Sequence, residues 1–148
     1  MEPVVPVDQG GRVQGTPGPR ASYALEEDGA WIAQARRFAA AFLARACAED
    51  GVPVSTRAME ITQLVVSELV TNARKYAPGP VGLDLRISGD VIEVIVRDGN
   101  PVPPVPRDAD PGRVGQHGLE IVMAVTQALH VRREPAGKSI TARISLLA

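Results

Sequence analysis

The hydrophobic period of this chain changes at one place, and that change narrows what it can fold into. Across residues 55–77 apolar side chains recur at helical spacing. Beyond Pro78-Gly79-Pro80 the period falls to two, with Val81, Leu83, Leu85 and Ile87 alternating with polar or small neighbours. A helix cannot run through that proline pair, and an alternating strand offers only one face to a core. The two segments therefore read as a helix packed on a half-buried sheet. Gly89-Asp90 supplies a hairpin turn into a second strand at Val91–Val96.

The flanking segments extend the pattern. Ser22–Leu25 reads as a short edge strand. Ile32, Ala35, Phe38, Ala39, Phe42, Leu43 and Ala46 mark an amphipathic helix from about Ala30 to Asp50-Gly51-Val52-Pro53. Ser55 or Thr56 caps the next helix, which runs to about Ala77. Helical spacing returns over Leu119–Leu129. His130–Glu134, a turn at Pro135-Ala136-Gly137-Lys138 and Ser139–Leu147 then form a terminal hairpin. Helix, helix, hairpin, loop, helix, hairpin is the order of an α+β protein. It predicts a two-layer sandwich with helices on one face of a mixed, mostly antiparallel sheet.

At 148 residues the chain suits one domain. Met1–Arg20 holds four Pro and four Gly with little to bury, so residues 1–20 read as a disordered leader and 21–148 as the folded domain. A net charge of −1 and only five aromatic residues argue against a basic nucleic-acid footprint or a base-stacking platform. With no 18-residue apolar run and no signal-peptide core, the expectation is a cytoplasmic protein without membrane contact. A lone Cys47 excludes an internal disulfide, and it reads as a small buried hydrophobe. Trp31 and Phe38 read as core or sheet-facing residues and His130 as strand-exposed.

Three places break the regular pattern. On the second helix Ile61, Leu64, Val65, Val66, Leu69, Val70 and Ala73 fill one broad arc. Glu68 and Asn72, one turn apart, fall inside it rather than with Gln63, Ser67, Thr71 and Arg74. A carboxylate and a carboxamide facing a core cost several kcal/mol unless something polar meets them, so a pocket, a metal or a buried network is expected there. A wheel drawn too wide at a sheet edge is the plainer alternative. Asp98, in Arg97-Asp98-Gly99-Asn100-Pro101, puts an acid at a strand end, where it can accept from an exocyclic amine or simply begin a turn. Residues 99–115 then hold five Pro and three Gly, a long connection. Finally, Gly115-Gln116-His117-Gly118-Leu119 opens a helix whose first N–H groups suit a phosphate, or serves as an ordinary glycine-rich cap.

Taken in this order, the three breaks resemble the Bergerat-type ATP-binding domain shared by histidine kinases, gyrase-type ATPases and anti-sigma-factor serine kinases. Glu68–Tyr76 looks like its N box, Val96–Pro101 like its G1 box and Gly115–Leu119 like its G2 box, a likeness spanning about Ala30 to the C-terminus. The resemblance implies ATP and Mg²⁺ as ligands. Asn72 would hold the metal and Asp98 would accept from the adenine amine. Asn100, Gly115, His117, Gly118 and Leu119 would contribute to the nucleotide site under a lid of residues 102–117. Lys75 and Arg113 are candidate phosphate contacts. Glu68 would be catalytic: branches that hydrolyse ATP or phosphorylate serine carry Glu there, whereas phosphohistidine-making kinases usually have Asn or His. The implied protein is a regulatory serine/threonine kinase that phosphorylates an anti-sigma-factor antagonist and sequesters a sigma factor. Kinases of this kind often form homodimers.

The motifs also depart from the family pattern. Asn100 and Val102 stand at the two glycine positions of Asp-x-Gly-x-Gly, and Gly137-Lys138-Ser139 stands where a Gly-Thr pair is common. These departures support the alternative, a non-enzymatic partner-binding module on the same fold.

Overall fold

A computed structural model of the chain describes residues 18–26, 29–76, 79–99 and 118–148. Most of the leader, together with Asn100, Val102, Arg113, Gly115, His117 and the whole lid segment, lies outside these residues.

The elements are β1 (Arg20–Leu25), α1 (Trp31–Asp50), α2 (Thr56–Tyr76), β2 (Val81–Ser88), β3 (Val91–Asp98), α3 (Gly118–Val125), β4 (Ala128–Glu134) and β5 (Gly137–Ser145). The strands form one sheet in the order β1-β2-β3-β5-β4. The expected mostly antiparallel sheet is antiparallel in all four pairings.

Local chemistry explains the helix ends. The Val52 N–H bonds back to the Ala46 carbonyl at 3.2 Å, the six-residue closure that stops α1. Ser55 caps α2: its Oγ accepts from the Ala58 N–H at 2.9 Å and donates to the Ala148 carbonyl at 2.8 Å.

The core lies between the helices and one sheet face. Leu83 and Leu85 of β2, Ile92, Val94 and Val96 of β3, and Ile140, Ala142 and Ile144 of β5 meet Ala39, Phe42 and Leu43 of α1 and Val65, Leu69 and Val70 of α2. The opposite face carries charge: Arg86 and Arg143 both pair with Glu93, and Arg97 pairs with Asp84. Phe38 is half-buried and stacks on Tyr23 with ring centroids 5.0 Å apart.

Three expectations require correction. Helical spacing over Leu119–Leu129 predicts a helix to 129, yet α3 ends at Val125. There the Thr126 hydroxyl bonds back to the Val122 carbonyl, the Gln127 N–H bonds the Arg143 carbonyl, and the chain enters β4. Leu129 serves the core from a strand instead. Cys47 is exposed rather than buried. The inner stripe of α1 is Ala35, Ala39, Phe42, Leu43 and Ala46, and position 47 lies about 100° around the helix from Ala46. Lastly, β3 continues to Asp98 and β5 begins at Gly137, so Lys138 belongs to a strand, not to a turn.

Candidate functional site

The site is built around α2, which packs on β3 and on α3. Of the apolar arc read from the sequence, Ile61, Val65, Val66, Leu69, Val70 and Ala73 are buried, but Leu64 is 36% exposed. The arc is therefore narrower than the wheel implies. Leu64, Glu68 and Asn72, spaced four apart, run along its margin, and both polar residues are half-buried. At that margin water removes most of the cost of burying them. No hydrogen bond or ion pair among the described residues engages either side chain. Glu68 and Asn72 thus present a carboxylate and a carboxamide about 5–6 Å apart at their Cβ atoms, by helix geometry.

Arg74 anchors this turn of α2. Its guanidinium donates to the carbonyls of Gly79 at 3.0 Å and Leu25 at 3.1 Å, and lies 5.6 Å from the Trp31 ring centroid. The last turn of α2 is thereby tied to the end of β1 and the start of α1. Lys75, its neighbour, is exposed.

Gly118 brings α3 against Glu68. A Cβ at position 118 would overlap Glu68 Oε1, so the missing side chain is what allows the carboxylate to lie over the opening residue of α3. The first N–H groups of a helix have no intrahelical partner and carry partial positive charge, so this corner suits an anion. Leu119 packs its side chain on the core, which leaves its backbone N–H as the group that can face an anion.

Asp98 occupies the last position of β3, in the row that faces the helices with Ile92, Val94 and Val96, and is 8% exposed. It is already partnered. Lys138 stands directly opposite in the β3–β5 register. Its Nζ donates to Oδ1 at 3.0 Å and lies 2.9 Å from Oδ2, with the two side chains 2% and 1% exposed. Gly137 makes this possible, because a Cβ there would overlap the Asp98 carbonyl oxygen and crowd the Gly99 Cα. Sequence reasoning missed Lys138 as a site residue. The usable signal was its place two residues before Ile140, in phase with Ala142 and Ile144.

The donor set fits Mg²⁺ in the manner usual for nucleotide sites, where one or two protein oxygens act with phosphates and water. Asn72 offers such an oxygen beside the Glu68 carboxylate. Among the described residues there is no cluster of three His, Cys, Asp or Glu side chains. Away from these residues, an open apolar cavity of about 400 Å³ lies where α1 meets the start of α2, lined by Leu43, Cys47, Val54 and Met59 among others.

A family model for the Histidine kinase-like ATPase domain matches residues 26–144, nearly the whole folded region. This chain belongs to that family. Membership gives the histidine kinase-like ATPase domain the coarse identity of an ATP-binding unit of kinase or ATPase type, for which Mg²⁺ is the usual companion ion. Among solved structures, the domain is similar to the histidine kinase domain of the Erythrobacter litoralis blue-light activated histidine kinase EL346 at 21% identity. That match covers 76% of this chain and 61% of the other, with a TM-score of 0.47. It is also similar to a further structure of that kinase at 23% identity, covering 78% of this chain and 45% of the other, with a TM-score of 0.45. The chain thus spans less than two thirds of either structure. No curated protein matches it. No helix among the described residues is long and apolar enough to cross a membrane.

Proposed function

We propose that this domain is a regulatory serine/threonine kinase of the anti-sigma-factor type. It would transfer the γ-phosphoryl of ATP to a hydroxyl on an anti-sigma-factor antagonist and use its surface to hold a sigma factor, as a monomer or a homodimer. One observation carries the proposal. Glu68, a half-buried carboxylate with no hydrogen-bond or ion-pair partner among the described residues, stands one helical turn from the carboxamide of Asn72 and against the opening residue of α3.

Each residue has a definite task in this reading. The Asn72 side-chain oxygen holds the metal, and the Gly118 and Leu119 N–H groups face phosphate oxygens. Glu68 orients the incoming hydroxyl and accepts its proton as the oxygen attacks in line. Bound Mg²⁺ supplies neutralisation of phosphate charge. Asp98 accepts from the base. A carboxylate at 68 favours a hydroxyl acceptor, because an imidazole needs no base to release a proton from its attacking nitrogen.

Calorimetric titration of Mg·ATP tests the nucleotide site, with Asn72→Ala expected to abolish binding. Glu68→Ala should keep ATP yet fail to phosphorylate a cognate antagonist; undiminished transfer would remove Glu68 from the mechanism. The second reading, a partner-binding module that no longer turns over ATP, is favoured by one observation, the engagement of Asp98 by Lys138. Absence of binding at millimolar Mg·ATP would decide for it.

A further inference from the structure

Arg74 is a residue of α2 that the proposed function leaves without a task. Two positions along a helix turn about 200°, so Arg74 projects from the side of the last turn opposite Asn72. Its terminal nitrogens reach three backbone carbonyls from two separate connections. One donates to the Gly79 carbonyl, just before β2, at 3.0 Å; the other donates to those of Leu25, at 3.1 Å, and Glu26, where β1 ends. The ring of Trp31, the first residue of α1, lies 5.6 Å from the same guanidinium. The buried Nε makes no hydrogen bond among the described residues, so the terminal fork provides the hold. A planar fork can serve several acceptors at fixed angles, whereas a lysine ammonium is a single point. This turn needs such a hold. Of residues 71–75 Ala73 alone is buried, while Val65, Val66, Leu69 and Val70 further back on α2 are sealed in the core.

We propose that Arg74 is a positioning residue for Asn72: by fixing the last turn of α2 against rotation, it sets where the carboxamide stands and with it the Mg²⁺-dependent part of nucleotide affinity. The inference rests on the reading of Asn72 as the metal-holding residue. The lever is short but sufficient. A side-chain oxygen lies about 5 Å from a helix axis, half the overall helix diameter, so a rotation of about 15° carries it about 1.3 Å. Mg²⁺ tolerates little departure from its preferred ligand positions, and a shift of that size loses the ligand. Arg74 acts here through Asn72 and touches neither nucleotide nor metal.

The test uses the whole chain. Arg74→Met keeps the stem and removes the fork. Its affinity for ATP in Mg²⁺ should fall about 10–100-fold, the usual effect of losing a group that orients a metal ligand. Its affinity in EDTA, where Asn72 has no metal to hold, should stay at the wild-type value. Amide hydrogen exchange in the nucleotide-free protein should quicken over residues 72–75 but not over residues 60–66 of the same helix. Ser55→Ala, which weakens the opposite end of α2, should leave both affinities unchanged. If Arg74→Met fails to fold, Arg74→Lys, which keeps a cation but not the fork, goes through the same measurements with the same expectations. Where binding in EDTA is too weak to compare, the exchange pattern and Ser55→Ala decide. Equal losses in Mg²⁺ and EDTA, no loss in either, unchanged exchange at residues 72–75, or a loss of Mg·ATP affinity in Ser55→Ala as large as in the Arg74 variant overturns the positioning role and leaves the reading of Glu68 and Asn72 standing. Failure of the wild type to bind millimolar Mg·ATP removes the nucleotide site itself, and this inference with it.

Discussion

Lys138→Met is the substitution whose cost can be worked out most directly. The side chains of Lys138 and Asp98 are 2% and 1% exposed, so methionine fills the stem volume but removes the Lys138 ammonium from a buried carboxylate. Removing one partner of a buried pair costs about 3–5 kcal/mol. For a chain of this size each kcal/mol moves the melting midpoint by about 2–4 °C, so a fall of roughly 6–20 °C is expected. Asp98→Leu removes the carboxylate that faces the buried Lys138 ammonium and should cost a similar amount. The double variant, Lys138→Met with Asp98→Leu, continues the hydrocarbon wall of Val96 and Ile140 and should return within about 1 kcal/mol of the wild type. Urea unfolding followed by circular dichroism, run as a double-mutant cycle, gives the coupling directly. Arg143→Ala on the open face is the internal comparison. Its partner Glu93 lies 2.6 Å away, but Arg143 is 40% exposed, and screening should hold its loss to about 1 kcal/mol or less. A cost below about 1 kcal/mol for Lys138→Met would refute the reasoning, because it would mean that water reaches the pair.

Three further outcomes are expected. Gly137→Ala should lose at least about 2 kcal/mol by thermal melt because its Cβ meets backbone, whereas Gly118→Ala should lose less than about 1 kcal/mol because only the flexible tip of Glu68 has to move. Ser55→Ala removes the cap of α2 and its bond to the Ala148 carbonyl, and should lower stability by about 1 kcal/mol in the same assay. Cys47, being exposed, should react stoichiometrically with a thiol reagent in the native protein; protection until unfolding would contradict the observed face of α1.

The sequence by itself determined the order and type of the elements and the presence of a polar couple on α2. Period, caps and proline breaks are properties of single segments, and they remain legible without neighbours. It was also enough to place Glu68 and Asn72 one turn apart, since helix geometry fixes that spacing. The tertiary structure decided where the margins lie. Leu64 belongs to the rim because α2 meets its neighbours over a narrower arc than hydrophobicity alone suggests. Cys47 faces outward because α1 contacts the core along one stripe. Leu129 joined a strand because an edge of β5 was there to pair with it. The partner of Asp98 could not be read locally at all: Lys138 lies 40 residues away, and only the β3–β5 register sets the two side chains opposite each other. A pattern in one segment shows which face is polar. Which charge meets that face is fixed by how separate strands align.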